Sequence, residues 1–241
     1  MIAKVPQIGF DRFIQLDWVA AALRVRAGTA SLEDLNEQLA VAGLGKEAQI
    51  KTRTKLNALA LAPRDDLVDF IDRGVSLFAD AKTPADVAPF AWGAALASYP
   101  YFGRVAEITG RLTSIQGDCS VVEIHRRISE FYGDREVTKR ATQAVLQTQA
   151  NWGAIERVEK GKRLVRLASR VVTDEKAVAW LIEAALRYLG KAMALTTVQS
   201  TAVLYPFTLN QPIAYVISRS ETLELRSDGS SQQYVALQVA A

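Results

Sequence analysis

The sequence predicts a mainly α-helical protein with small β elements in its centre and towards its C-terminal end. Three observations carry this. Apolar residues recur at three- and four-residue steps along most of the chain as far as Met193. Serine, threonine or aspartate stands before many of these runs and glycine after them. From Thr196 onward β-branched and aromatic residues increase instead. A chain of 241 residues suffices for one large domain or two to three small ones, and the pattern divides this one into segments 1–98, 99–170 and 171–241.

The first segment reads as helices. From Phe13 to Arg26, Leu16, Val19, Ala20 and Leu23 form a stripe that Gly28 closes. Ser31 with Asp34 three residues on has the form of a capping box and opens a helix from Leu32 to Ala42, with Leu35 and Leu39 inward. Gly43 and Gly45 stop it. A third helix is predicted from Lys46 to Leu61, with Ile50, Leu56, Leu59 and Ala60 on its apolar side and Lys46, Lys51, Arg53 and Lys55 set against Glu47 alone. Three helices in this order, the third basic, match a helix-turn-helix without a wing and match a plain three-helix bundle equally well. Under the first reading Lys51, Arg53 and Lys55 are candidate nucleic-acid contacts. Pro63 then breaks the chain, and Asp65-Asp66 opens a helix through Val68, Phe70, Ile71, Val75 and Phe78. Thr83-Pro84 starts another with Val87, Phe90, Leu96 and Tyr99, which Pro100 kinks or ends.

In the central segment Tyr101 to Gln116 places Phe102, Val105, Ile108, Leu112 and Ile115 on one stripe. Ser120 caps the next helix, with Val121, Ile124, Ile128 and Phe131 inward and Gly133 as a left-handed stop. Asp134 caps a further helix to about Asn151, with Val137, Ala141, Ala144, Val145 and Trp152 on one side, and Gly153 ends it. Leu146 falls on the polar side of an ideal wheel. A small rotation buries it and leaves Arg140, Gln143 and Gln147 outward, which makes those three firmer candidates than Lys139. Two alternating runs, Ala154 to Val158 and Arg163 to Leu167, flank Glu159-Lys160-Gly161-Lys162, the composition of a hairpin tip. Helix, turn, helix, strand, basic turn, strand is the order of a winged helix-turn-helix. An outer helix face of Lys139, Arg140, Gln143 and Gln147, with Arg135 at its start and a tip of Lys160, Lys162 and Arg163, suits the major groove and flanking phosphates of double-stranded DNA. Trp152-Gly153 is expected to anchor that helix to the hairpin.

Charge distribution agrees. Between Ser120 and Arg166 ten Lys or Arg face six acids, a local surplus larger than the net +3 of the entire chain. In the last segment Thr173 or Asp174 caps a helix to about Met193, with Val178, Leu181, Ile182, Leu186 and Leu189 inward. LYPFTL and TLELR then read as strands, Ile213 to Ser218 as a short helix, and SDGSSQ as the turn of an acidic hairpin returning through YVALQV, a packing or partner surface.

Other chemistry finds little support in the residues. Apolar residues at 49% and charged residues at 23% describe an ordinary globular chain, and no stretch nears the roughly 18 uninterrupted apolar residues of a membrane helix. The opening MIAKVPQIGFDRF meets charges before any apolar run of signal-peptide length, so a cytoplasmic protein is expected. One cysteine, Cys119, forms no internal disulfide and reads as structural. One histidine, His125, reads as a partly exposed helical residue, and with so few ligands no metal or cofactor is expected. No phosphate-binding loop, dinucleotide fingerprint, zinc-protease motif or nucleophile elbow appears, so no enzymatic activity is expected. Trp152, Tyr99, Tyr101 and Phe102 read as packing rather than stacking platforms.

The stretch YPYFGRVAEITGRL followed by FYGDREVTKRATQAVLQTQANWGAIE is similar to the BrxA family of bacteriophage exclusion (BREX) defence systems. The similarity covers about residues 90 to 160 and is carried by the step Tyr132-Gly133-Asp134-Arg135 and the closure Trp152-Gly153. It implies a small, mostly helical, DNA-binding protein of a bacterial phage-defence locus, without catalytic activity of its own and with other phage-defence proteins as partners. Members of that family have been labelled inner-membrane proteins, and this chain departs from that label. The competing expectation is an adaptor whose winged segment docks another protein, since fold alone does not decide between the two.

Overall fold

The computed structural model describes residues 7–227, 229 and 232–238. The first segment holds α1 (Leu16–Arg26), α2 (Leu32–Val41), α3 (Lys46–Leu56) with a π turn at Asn57–Leu61, α4 (Val68–Phe78) and α5 (Ala88–Ser98). The Ser31–Asp34 capping box is formed, and Leu35 and Leu39 are buried beneath α2. Pro100 opens α6 (Pro100–Gln116), where its missing N–H costs nothing, after α5 has ended at Ser98.

There follow β1 (Asp118–Ser120), α7 (Val121–Tyr132), α8 (Glu136–Asn151), β2 (Ile155–Val158) and β3 (Arg163–Arg166). The three strands form one antiparallel sheet in the order β1-β3-β2, with Leu164 opposite both Cys119 and Arg157. The chain ends through β4 (Arg170–Val172), α9 (Glu175–Leu189), β5 (Met193–Ala194), β6 (Phe207–Leu209), α10 (Ile213–Ser218), β7 (Leu223–Ser227) and β8 (Gln233–Leu237). The protein is mostly helical with small sheets. The second sheet pairs β4 and β6 in parallel, and the third runs β5-β8-β7. Within the turn SDGSSQ, Asp228, Ser230 and Ser231 lie outside the described residues.

A single apolar core extends from Phe10 to Val235 and crosses the expected divisions at 98 and 170. Helix α5 lies at its centre, buried along every residue from Ala88 to Ala97, which is possible because every one of those residues is apolar and alanines and Gly93 let neighbours approach between the larger side chains. Trp180 of α9 lies between Phe70 and Phe90, with ring centroids 4.5 and 5.8 Å away, and its Nε1 donates to the Phe70 carbonyl at 2.8 Å. A Cβ on Gly93 would stand 2.2 Å from Trp180, so this close approach requires glycine. Trp92 donates to the Val203 carbonyl at 2.8 Å and binds the last segment to the same core.

Several expected positions differ, each with a local cause. Ile50 is 68% exposed, because α3 reaches the core through Thr52 and Leu56 on another face. Val137 points outward while Thr138 and Thr142 are fully buried. The Thr138 hydroxyl donates to the Tyr132 carbonyl at the end of α7, and the Thr142 hydroxyl is satisfied by the Thr138 carbonyl and by Tyr101, so threonine occupies the inward register where valine was expected. Phe131 is likewise outward, under the Arg104 guanidinium at 4.4 Å, because Tyr132 takes the inward place edge-on to Tyr101. Ile115 is exposed beyond the end of its stripe. Gly133 has φ +79° but ψ 150°, an extended mirror conformation rather than the left-handed helical one. It hands the chain to Arg135, which takes the N-cap place of α8 expected for Asp134.

Candidate nucleic-acid interface

Helix α8 is fixed at both ends before any of its outward side chains matter. Near its start the Tyr101 hydroxyl donates to the Thr138 carbonyl at 3.0 Å and lies 2.7 Å from the Thr142 hydroxyl, fastening α8 to α6. At its end the N-terminal segment closes over it. Ile14 N–H donates to Thr148 Oγ1 at 3.0 Å, Leu16 N–H to Asn151 Oδ1 at 2.7 Å, and Trp152 Nε1 to the Ile14 carbonyl at 3.0 Å. Trp152 therefore ties the end of α8 to Ile14 and to Phe102, 5.4 Å away. Leu146 is fully buried, the rotation expected of it.

The outward residues fall into two groups. Arg140 and Gln147 are exposed, and among the described residues Arg140 faces no carboxylate within ion-pair distance. Lys139 is exposed and pairs with Asp134 at 3.2 Å, while Arg135 donates to the Tyr132 carbonyl at 3.0 Å. Gln143 is different. Its Nε2 donates to His125 Nε2 at 3.1 Å, and its Oε1 accepts from Arg157 Nη2 at 3.0 Å, so both ends of the amide are occupied. The pairing requires a His125 ring that is neutral, with its proton on Nδ1, an atom buried without a partner among the described residues. Burial, and then the Lys139 charge, hold His125 below its ordinary pKa, with Asp134 opposing.

The hairpin tip is a tight left-handed turn. Glu159, Lys160 and Gly161 have φ of 51°, 56° and 82° in succession. Lys160 and Lys162 are exposed with no carboxylate partner among the described residues. Arg163 is engaged by Asp118 at 2.5 Å and Glu159 at 3.8 Å. On α7 the arginines are neutralised locally. Arg126 and Arg127 clasp Glu123, whose carboxyl they hold down to about 2, and Arg126 also reaches Glu130. Among the described residues of this segment, the exposed cations without a carboxylate partner are therefore Arg135 at the start of α8, Arg140 on it, and Lys160 and Lys162 at the tip.

The N-terminal candidates are engaged within their own segment. Lys51 pairs with Glu47 and Arg53 donates to Asn36 Oδ1 at 2.6 Å. Lys55 is only 15% exposed, held between Asp11 at 2.9 Å and the Gly9 carbonyl at 2.7 Å, so it serves as an internal tie. Cys119 is buried and its thiol is pushed up to about 11, first by burial and then by Asp118 and Glu123. No group of three or more His, Cys, Asp or Glu that could hold a metal occurs among the described residues, and none of their helices is long and apolar enough to cross a membrane.

Sequence reasoning missed Arg157 and β1. Arg157 was visible in principle, because strand parity puts it on the same side as buried Ile155, facing α8. A three-residue strand such as β1 leaves no periodic signal at all. No protein-family model, curated protein or solved structure matches this chain.

Proposed function

We propose that this chain is a non-enzymatic, double-stranded-DNA-binding protein and a component of a bacterial phage-defence system. In this reading Pro100–Arg166 is a winged helix-turn-helix, with α8 in the major groove and the β2–β3 tip on a flanking phosphate backbone. The observation that carries it is the pairing of exposed, uncommitted cations on both elements, Arg140 on α8 and Lys160 and Lys162 at the tip, while the arginines of α7 are neutralised by their own glutamates. The element order α6-β1-α7-α8-β2-β3, with the sheet arranged β1-β3-β2, supports the same reading. The phage-defence setting rests on the similarity to the BrxA family.

The test is fluorescence anisotropy of the full chain on random-sequence duplex across a salt series. Affinity should fall by orders of magnitude between roughly 50 and 200 mM salt, and Lys160→Ala with Lys162→Ala should weaken all sequences alike and lower the salt slope by about one per lost contact. No binding at low salt, or a flat salt response, overturns the proposal. A second reading, a protein adaptor, has one observation behind it: Val122 and Phe131 stand 76% and 49% exposed on α7. A stoichiometric protein partner that tolerates the two lysine replacements and is lost with Val122→Asp would favour it.

A further inference from the structure

Away from α8 and the hairpin tip, a recess of about 390 Å³ opens where the turn before α4, the end of α9 and the last sheet meet. Its lining carries Arg64, Arg187, Lys191 and Arg226 with Asp66, while Glu183 and Glu224 pair with Arg187 and Arg226 from outside it. Arg187 and Lys191 are accounted for by the C-terminus of α9, whose dipole favours cations. Arg64 and Arg226 are not, since they arrive from other elements. Their carboxylate partners, Asp66 and Glu224, are each two residues away on the same stretch, and both arginines are exposed. Such local surface pairs exchange readily for a better anion. Lys191 has no carboxylate partner among the described residues, and Arg187 is held in place from behind by buried Glu183 at 2.8 Å. Leu67, Leu186 and Leu237 make the rest of the wall apolar.

A volume of this size lies within the range of small-molecule sites. A duplex backbone spreads its charge along a surface, whereas this open recess sets cations and an apolar wall together at one place. We infer that it binds a compact organic anion with a flat, weakly polar body and two or more adjacent negative charges, the chemistry of a nucleoside diphosphate. The guanidinium groups of Arg64 and Arg226 are suited both to forked contact with phosphate oxygens and to stacking on a base.

Isothermal titration of the full chain at fixed ionic strength tests this with three probes: adenosine diphosphate, inorganic pyrophosphate and adenosine. The diphosphate should bind one to one, about tenfold or more tighter than either fragment, and Lys191→Ala with Arg226→Ala should weaken it about tenfold or more, given the strength of charge-assisted contacts. Both residues are exposed, so the double variant should melt as the parent does. Absence of saturable binding at millimolar diphosphate, or unchanged binding in the double variant, overturns the proposal. Pyrophosphate binding as tightly as the diphosphate overturns the nucleoside assignment. Loss of duplex affinity in this variant would make the recess part of the DNA surface and overturn it as well. The site is independent of the winged segment, so Lys160→Ala with Lys162→Ala should leave diphosphate binding intact.

Discussion

Gln143→Leu should lower the stability of the fold and leave DNA-sequence preference unchanged. The amide donates to His125 across to α7 and accepts from the Arg157 guanidinium on β2, so it joins three elements. The first bond is between neutral groups, worth about 0.5 to 1.5 kcal/mol, and the second involves a charge, worth about 1.5 to 3 kcal/mol. Leucine preserves most of the volume while removing both. It also strands Arg157, whose Nε is already buried without a partner among the described residues. Discounting for the half-exposed setting, the loss is roughly 2 to 3 kcal/mol, which in a chain of this size lowers the melting temperature by about 4 to 12 °C. Thermal melts and urea titrations of the variant read that number, and selection from a randomised duplex library reads base preference. An unchanged melting temperature with an altered preferred sequence would refute the reasoning, because the amide would then be free for a base edge.

Three further outcomes follow from the same geometry. Since His125 is held below its ordinary pKa of 6.5, the unfolded chain takes up its proton at higher pH than the folded chain. The contribution is complete above 6.5 and is lost as pH falls towards the folded value, so the urea midpoint should drop between about pH 7 and 5.5, and less steeply in His125→Gln. Trp152→Ala removes a buried indole and its bond to Ile14, and should cost about 3 to 5 kcal/mol by chemical denaturation. Gly93→Ala should cost about 1 to 3 kcal/mol or more, because Trp180, fixed by two stacked rings and a hydrogen bond, has nowhere to retreat; a variant as stable as the parent would contradict this packing.

Elements with their own start and stop signals were legible in the sequence. Ser31 with Asp34, Ser120, Asp174 and the glycines after α1 and α8, Gly28 and Gly153, mark boundaries that local hydrogen bonds enforce, and they stand within a few residues of where they were expected. What escaped depends on contacts distant in sequence. The inward threonines of α8 are explained by Tyr101, 37 and 41 residues earlier, and the burial of Lys55 by Asp11 and Gly9. The candidate interface divided in the same way. Exposure of Arg140 and Gln147 followed from helical periodicity, whereas the capture of Gln143 required knowing that β2 returns beside α8 and α7. The short strands β1, β4 and β5 owe their existence to partners already in place, with two or three residues each and no alternation long enough to register.

With Gln143 committed, any base reading by α8 falls to Arg140 and Gln147. They are seven residues apart on one helix, so at 1.5 Å per residue their positions differ by about 10.5 Å along its axis, close to three base-pair steps of about 3.4 Å. Each can pair with two atoms of one base edge, worth roughly 1 to 3 kcal/mol of discrimination, and the separation is too large for both to serve the same base pair. Sequence preference should therefore reside at two positions about three base pairs apart, and the free-energy losses from Arg140→Ala and Gln147→Ala should add in the double variant, as they do for sites beyond about 7 to 10 Å. A library selection in which both variants relax the same position would mean that α8 crosses the groove steeply instead of lying along it. One in which neither relaxes any position while overall affinity falls would leave α8 gripping only phosphates, alongside Lys160 and Lys162.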